Sequence, residues 1–138
     1  MVTILSGIPG SGKSYLAAQM KADNPRLCVV SADKFFETRA FDPSLLGVAH
    51  AACFAHFLMM INSQDVVVDN TNLHAWEISP YMLGAAAFGV PAKIVRVNCN
   101  LYTAMARQIH DVPSETVRQM HVKFLLRDVL PFWDIEEV

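Results

Sequence analysis

Short apolar runs alternate with longer mixed stretches along this chain. Four of these runs are rich in Val, Ile and Leu and end at Gly or short polar residues: residues 1–6, 27–31, 65–69 and 93–98. We interpret each run as a strand buried on both faces, because such strands are continuously apolar and do not alternate with polar residues.

Helical patterns fill the intervals between these strands. Asp42 followed by Pro43 is typical of a helix start, and Gly89 followed shortly by Pro91 is typical of a helix end. This alternation predicts one α/β domain, residues 1–138, with a parallel sheet covered by helices on both faces. We assign no structure to the acidic tail after Pro131. The predicted helical segments are residues 15–21, 42–61, 74–88, 100–108 and 114–129.

The composition fits a folded domain without a strong charge. Of the 138 residues, 53% are hydrophobic and 17% are charged, and the formal net charge is -2. These values argue against disorder and against wrapping of long nucleic acid by charge alone, while a short strand end remains a compatible ligand. The start lacks a basic leader, and the apolar residues 48–61 are too few to span a bilayer. We therefore expect a cytoplasmic protein that does not bind membranes.

The segment GIPGSGKS, residues 7–14, matches the phosphate-binding pattern G-x-x-x-x-G-K-[ST]. It lies between a predicted strand and a predicted helix, so its backbone amides and the helix N-terminus would face an anion together. In such loops the lysine contacts the β- and γ-phosphates and the hydroxyl ligates Mg²⁺, which assigns these roles to Lys13 and Ser14. The segment predicts a P-loop NTPase, a three-layer sandwich that binds ATP or GTP with Mg²⁺. Its predicted nucleotide-binding residues are Gly7, Pro9, Gly10, Ser11, Gly12, Lys13 and Ser14.

Two carboxylates follow the second and third predicted strands. Asp33 lies in SADKFF, and Asp69 ends the run VVVD. Because the carboxyl ends of parallel strands share one edge with the P-loop, we expect both acids near the transferring phosphate. One would take the proton of an acceptor hydroxyl, and the other would ligate Mg²⁺. The alternatives are a helix cap for Asp33 and a simple turn for Asp69, since the segment DNTN is rich in turn-forming side chains.

The segments GIPGSGKS, NPRLCVVSADKFF and VVVDNTNLHAW together resemble the polynucleotide 5′-kinase-like family of P-loop kinases, which includes the kinase domain of phage polynucleotide kinase. FDPSLLGVAH, NLHAWEISPY and ARQIHDVPSETV are similar to the kinase-like domain of animal Nedd-ligase-binding proteins. The resemblance covers residues 2–124, and the DNTNLHAWE-type segment is its most specific part. It implies a kinase that moves the γ-phosphate of a nucleotide to a hydroxyl.

The resemblance also implies residue roles by position. Asp33 matches the general base, and Asp69 matches the acid that ends the third strand. Arg107 matches a lid arginine that contacts the triphosphate, so the catalytic residues are predicted to be Asp33, Lys13 and Arg107. A four-stranded order of 4-1-3-2, with right-handed crossovers and a short helical lid, would place Asp69 beside Ser14, the second predicted metal ligand.

The acceptor side departs from the family pattern. The family's second acid and its acceptor-binding arginine are replaced here by Lys34 and Phe36. We predict that Lys34 and Arg39 supply the missing positive charge.

Further candidates lie on the lid and beside the third strand. Arg118, on the helix after the lid, is predicted to join Arg107 at the nucleotide; the alternative for both arginines is a solvated surface charge. The substrate-binding candidates are Asp33, Lys34, Arg39, Thr71 and His74.

Three functions follow as hypotheses. The first is a kinase whose acceptor is the 5′-hydroxyl of DNA or RNA. The second is a small-molecule kinase with the same donor site, which the weak charge favours and the resemblance opposes. The third is a nucleotide-binding module without transfer activity, against which the presence of Lys13, Ser14 and Asp33 argues.

Overall fold

A parallel sheet of five strands forms the centre of the computed structural model, which describes Met1–Val138. The order across the sheet is β2-β3-β1-β4-β5, and every neighbouring pair is parallel. The predicted order of the first four strands, 4-1-3-2, is therefore confirmed. The strands are β1 (Val2–Ser6), β2 (Cys28–Val30), β3 (Val66–Asp69), β4 (Ala92–Arg96) and β5 (Ile135–Glu137).

Strand β5 corrects the prediction of a four-stranded sheet, and it lies in the tail to which the sequence assigned no structure. It pairs with β4 through Ile94 and Ile135, and through Arg96 and Glu137. Glutamates disfavour strands, so the tail carries no local strand signal. Ion pairs with the neighbouring strand accompany its backbone pairing: Lys93 Nζ lies 2.7 Å from the Glu136 carboxylate, and Arg96 Nε lies 3.0 Å from that of Glu137.

Five α-helices connect the strands. Their first and last residues lie within a few positions of the predicted ones, except for the C-terminal end of the fifth helix. That helix was predicted to reach residue 129 but ends earlier, and Arg127 beyond it has a left-handed φ of 53°. Such a residue commonly terminates a helix. Two short 3₁₀ helices, Ala32–Phe36 and Pro43–Leu45, follow β2. The α-helices are α1 (Lys13–Asp23), α2 (Leu46–Met60), α3 (Ala75–Ala87), α4 (Leu101–Arg107) and α5 (Ser114–Leu125).

The core has a layer on each face of the sheet, as the three-layer prediction requires. On one face, side chains from β1, β3 and β4 pack against α2 and α3, with Phe57 and Ile78 fully buried. On the other face, Leu5, Val67 and Val95 pack with Ala17 of α1. A third cluster joins the phosphate loop to the helices that flank the lid: Ile8, Leu73, Ala104, Val117 and Phe124.

Helix α2 is more apolar and more exposed than a typical surface helix. The continuous helical stretch Pro43–Met60 has 18 residues and a mean hydropathy of 1.4, so it is long and apolar enough to cross a bilayer by length and composition. Only 17% of that stretch is buried, and Met59 is 77% exposed. A single helix of this kind is weak evidence for a membrane span. The stretch is longer than the 48–61 segment that the sequence indicated.

Candidate active site

The phosphate loop joins the end of β1 to the start of α1. Gly10 has a φ of 80° and lies so close to α4 that a Cβ there would be 2.0 Å from the carbonyl oxygen of Ala104. Gly12, with a φ of 104°, precedes α1 and provides no side-chain cap, so the first amides of the helix remain available to an anion. The Ser11 hydroxyl is buried and has no hydrogen-bond partner. These features fit a loop that binds phosphate oxygens.

Lys13 lies inside this loop and is only 7% exposed. Its Nζ donates to the carbonyl oxygen of Ile8 at 3.0 Å. Burial lowers the pKa of Lys13, and the negative charges of Asp69 and Asp33 oppose that shift. The ammonium therefore lies within the electrostatic reach of both carboxylates that the sequence predicted at this edge.

Ser14 and Asp69 meet where β1 and β3 lie side by side. The Ser14 hydroxyl donates to Asp69 Oδ2 at 2.8 Å, which is the adjacency that the sheet order predicted. A hydroxyl and a carboxylate are hard oxygen ligands of the kind that Mg²⁺ uses, with phosphates and water completing its shell. These two residues therefore fit the predicted metal site.

The DNTN turn after β3 connects three parts of the site. Asn70 Oδ1 accepts from the Ala32 amide at 2.9 Å, and Asn72 Nδ2 donates to the Leu5 carbonyl at 2.7 Å. The Gly7 amide donates to the carbonyl of Thr71 at 2.9 Å. The two asparagines are almost fully buried. The segment is therefore a turn, as the alternative had it, and this turn joins Asp69 to the phosphate loop and to the helix that carries Asp33. The role of Asp69 as a metal ligand stays a prediction.

Asp33 lies on the 3₁₀ helix that follows β2. Ser31, not Asp33, caps that helix, since the Ser31 hydroxyl accepts from the Asp33 amide at 3.2 Å. The Asp33 side chain is 71% exposed at the carboxyl edge of the sheet, and its Oδ2 lies 3.5 Å from His110 Nε2. The capping alternative for Asp33 is wrong, and its carboxylate is free to meet a substrate.

The two arginines around the lid differ in position. Arg107, the last residue of α4, points its Nη2 toward the Ser11 carbonyl at 3.5 Å and toward the Cys99 sulfur at 3.0 Å. It therefore lies beside the phosphate loop, as predicted. Arg118 is exposed and makes no hydrogen bond or ion pair, so its role at the nucleotide stays a prediction.

The predicted acceptor residues do not converge on Asp33. The Lys34 ammonium turns back to the Val29 carbonyl, and the Arg39 guanidinium stacks 4.0 Å from the centre of the Phe35 ring. His74 lies at the start of α3, with its Nδ1 3.6 Å from an Asp128 carboxylate oxygen. The Thr71 side chain makes no hydrogen bond. Each of these four side chains thus has a separate partner or none, and their predicted roles in substrate binding stay predictions.

A cavity of about 190 Å³ opens between the 3₁₀ helix Ala32–Phe36 and α2. Ser31, Lys34 and His56 give it a polar lining, and Ala, Phe and Cys side chains complete its walls. His56 Nε2 also lies 3.7 Å from the Cys28 sulfur. The sequence did not indicate this cavity, because its lining is brought together from two helices that the pattern placed separately.

Sequence reasoning also missed two polar residues at the site. Asn70 was assigned to turn formation only, although it links the end of β3 to the residue that precedes Asp33. His110 was not considered, although it lies in the predicted lid and faces Asp33. The signal for His110 was its position in ARQIHDVP, immediately after the lid arginine.

A family model described as an AAA domain matches residues 2–124. The chain belongs to this family. Human NEDD4-binding protein 2 is 38% identical over an alignment of 87 residues, and the match covers 59% of this chain and 5% of the human protein. The chain thus spans a small fraction of that relative's length, and the likeness to the kinase-like domain of Nedd-ligase-binding proteins is confirmed.

Solved structures show the same fold. The Pnkp1/Rnl/Hen1 RNA repair complex matches with a TM-score of 0.76 and 16% identity, over 91% of this chain and 44% of that chain. Chaetomium thermophilum Kti12 in complex with ADP-AlF3 matches with a TM-score of 0.75 and 16% identity, over 100% and 88% of the two chains. A gluconokinase from Sinorhizobium meliloti matches with a TM-score of 0.68 and 15% identity, over 99% and 81%. The chain has a P-loop kinase-like fold, related to polynucleotide and small-molecule kinases.

Proposed function

We propose that this domain transfers the γ-phosphate of ATP or GTP to a hydroxyl, most directly the 5′-hydroxyl of DNA or RNA. The observation that carries the proposal is the grouping of three charged side chains at one sheet edge. The buried Lys13 ammonium lies near Asp33, and near Asp69 in its hydrogen bond with Ser14. This grouping combines a phosphate-binding cation, a metal-binding pair and a free carboxylate.

The donor half of the reaction rests on the phosphate loop. The amides that start α1 and the Lys13 ammonium would bind the β- and γ-phosphates, and Arg107 would neutralise equatorial oxygens as charge develops. Ser14 and Asp69 would hold Mg²⁺, which supplies charge neutralisation at the β- and γ-phosphates. Arg107 Nη2 lies 3.5 Å from the Ser11 carbonyl and 3.0 Å from the Cys99 sulfur, beside the loop that would bind the phosphates.

The acceptor half rests on Asp33. Its carboxylate would accept the proton of the acceptor hydroxyl while the hydroxyl oxygen forms a bond to the γ-phosphorus. The bond from that phosphorus to the β–γ bridging oxygen breaks, and the nucleoside diphosphate leaves with the electron pair. A carboxylate favours transfer to an alcohol over hydrolysis, since hydrolysis requires a positioned water.

The polynucleotide acceptor is supported by the openness of the site. The Asp33 side chain is 71% exposed, so a strand end has access to it without entering a closed pocket. The exposed Arg39 and Lys34 lie on the next turns of the same segment, where a rotated side chain would contact an acceptor phosphate. The resemblance of the DNTNLHAWE-type segment to the polynucleotide 5′-kinase-like family is in accord with this acceptor class.

A small hydroxyl compound is the second candidate acceptor. The specific observation in its favour is the 190 Å³ cavity behind the Asp33 helix, with polar side chains from Ser31, Lys34 and His56. Its size suits a small polar molecule better than a nucleic acid strand. The gluconokinase likeness concerns the fold alone.

The test uses γ-labelled ATP or GTP, Mg²⁺ and oligonucleotides of DNA and RNA that carry a 5′-hydroxyl. The matched control is the same oligonucleotide with a 5′-phosphate, which lacks the 5′-hydroxyl but keeps every other hydroxyl of the strand. Label on the 5′-hydroxyl strand alone supports the proposal. Label only on members of a panel of small polyols and sugars supports the second candidate, and nucleotide binding without any transfer overturns both.

The acceptor-binding role of the basic residues has its own test. Lys34→Ala and Arg39→Ala should raise the KM for the oligonucleotide and leave the KM for ATP unchanged, because neither contacts the phosphate loop. The exposed Arg26, at the opposite edge of the sheet, provides the control Arg26→Ala. An unchanged oligonucleotide KM in both variants would remove these residues from the acceptor site.

A further inference from the structure

The lid loop between α4 and α5 reaches Asp33 through a single side chain. His110 Nε2 lies 3.5 Å from Asp33 Oδ2, and the two side chains are 55% and 71% exposed. The two residues come from opposite sides of the phosphate loop, since Asp33 follows β2 and His110 follows α4. The contact therefore spans the cleft in which the reaction would take place.

Two hydrogen bonds from one side chain hold together the ends of the loop that carries His110. The Gln108 side chain donates from Nε2 to the Val112 carbonyl at 2.6 Å and accepts from the Val112 amide at 2.9 Å, so it brackets the three residues between them. Asp111 has a left-handed φ of 50°, which turns the chain sharply after His110. His110 thus lies at the tip of a bracketed turn, while its neighbour Ile109 is 82% exposed.

We propose that His110 is a positioning residue for Asp33, a role that rests on the phosphotransferase function proposed above. The imidazole Nε2–H donates to one carboxylate oxygen, Oδ2, and holds the carboxylate in a fixed orientation. The other oxygen, Oδ1, is then presented to the acceptor hydroxyl. No proton leaves His110 in this step, since the proton of the acceptor is taken by Asp33.

The geometry suits a contact that tightens with substrate. A distance of 3.5 Å is longer than an ordinary hydrogen bond, and catalytic hydrogen bonds commonly shorten when the reactants are bound. The same loop joins Arg107, at the phosphate loop, to α5. Nucleotide binding that moves Arg107 onto the triphosphate would draw His110 with it, so that the base is oriented once the donor is present.

The alternative is that His110 and Asp33 form an exposed ion pair with no effect on the reaction, since most surface ion pairs contribute little free energy. The kcat and KM of His110 variants distinguish these two alternatives. Orientation of a base acts on the chemical step, so His110→Ala should lower kcat for the oligonucleotide about tenfold and leave the KM for ATP unchanged. His110→Gln, which retains a side-chain N–H, should recover most of that loss.

The loop offers two matched variants. Ile109→Ala removes an exposed neighbour on the same turn and should leave kcat unchanged. Gln108→Ala removes the bracket but keeps the imidazole, and should lower kcat in the same direction as His110→Ala. In Asp33→Asn, a further His110→Ala should have no additional effect on the residual rate, because the carboxylate that His110 orients is already lost.

A second readout does not depend on transfer. The ¹⁵N signals of the His110 ring report its hydrogen bonding, and they should move in Asp33→Asn but not in the exposed Glu37→Gln. If the wild type transfers phosphate to no acceptor, the proposed function is wrong. If the His110 ring signals nevertheless move in Asp33→Asn, the contact between His110 and Asp33 is still supported. The positioning role is overturned if the wild type transfers phosphate and His110→Ala has the same kcat. It is also overturned if the ¹⁵N signals of the His110 ring are unchanged in Asp33→Asn.

Discussion

The Ser14 hydroxyl donates a 2.8 Å hydrogen bond to the carboxylate of Asp69, although the two residues are 55 positions apart in the chain. The contact exists because β3 pairs directly with β1, so that the end of one strand lies beside the loop that follows the other. In the proposed reaction these two oxygen ligands hold the metal, while Lys13 and Asp33 act on the phosphates and the acceptor.

Removal of the Asp69 carboxylate should weaken the binding of Mg²⁺ more than it weakens the binding of ATP without metal. Asp69→Asn keeps a hydrogen-bond acceptor for Ser14 but loses the charge, so the Mg²⁺ concentration for half-maximal binding of ATP should rise about 10- to 100-fold. Binding measured in EDTA should change little. Calorimetry with and without Mg²⁺ provides both values, and equal Mg²⁺ dependence in variant and wild type would contradict the metal assignment. Asp65→Asn, at the other end of the same strand, is the control.

ATP affinity should decrease at alkaline pH because of Lys13. Burial lowers the pKa of Lys13 from its ordinary value of 10.5, against the opposing charges of Asp69 and Asp33. The ammonium therefore loses its proton at a lower pH than a free lysine, and the phosphates lose their buried cation as the pH rises through that value. Lys13→Arg keeps its charge throughout this range.

The measurement is the ATP dissociation constant between neutral pH and pH 10.5, with circular dichroism to confirm folding. The wild type should weaken below pH 10.5, whereas Lys13→Arg should show a flat profile, whatever its absolute affinity. A parallel decline in both proteins would assign the effect to another group.

Asn70 should contribute both to folding and to the position of Asp33. Asn70→Ala leaves the buried Ala32 amide without its acceptor, which should lower the free energy of unfolding by about 1–3 kcal/mol. It should also lower kcat more than it changes ATP binding, because the released amide belongs to the helix that carries the base. Urea unfolding and steady-state kinetics measure the two effects, with the exposed Asn62→Ala as control. A loss of stability with normal kcat would confine Asn70 to the fold.

The fifth strand should make stability depend on acid pH through Glu137. Partial burial raises the pKa of Glu137, but Asn98, Arg96 and Arg127 together lower it below its ordinary value of 4.5. A carboxylate with a lowered folded pKa contributes stability above its unfolded pKa, and that contribution is lost as the pH falls through the folded value. Urea midpoints should therefore fall below pH 4.5 more steeply in the wild type than in Glu137→Gln. Identical profiles would show that the exposed ion pairs around this residue add nothing.

The sequence predicted the parts of this fold that have local signals. Buried β-branched runs marked β1 to β4, and the phosphate loop marked the connection between β1 and α1, so the order of these strands and the approach of Asp69 to Ser14 followed from topology. Asp33 was located by the same reasoning, because strand ends at one edge converge.

The remaining features depend on partners that are distant in sequence. In β5, Ile135 packs on the core and the glutamates pair with Lys93 and Arg96 of β4, and an isolated IEEV segment does not reveal these partners. The Lys34 ammonium turns to the β2 edge, and Arg39 stacks on an aromatic ring, so their identity as basic residues near Asp33 did not determine where their charges lie. His110 was missed because its relation to Asp33 is set by the packing of the lid and not by spacing.

The central claim is that Asp33 accepts the proton of the phosphate acceptor, and transfer by Asp33→Asn tests it most directly. The side chain is exposed and its replacement is of the same size, so folding and ATP binding should be unchanged. Transfer from γ-labelled ATP to a 5′-hydroxyl oligonucleotide, or to whichever hydroxyl the wild type uses, should fall about 10²- to 10⁴-fold. Asp33→Asn protein that binds ATP normally and transfers label at the wild-type rate would contradict the account.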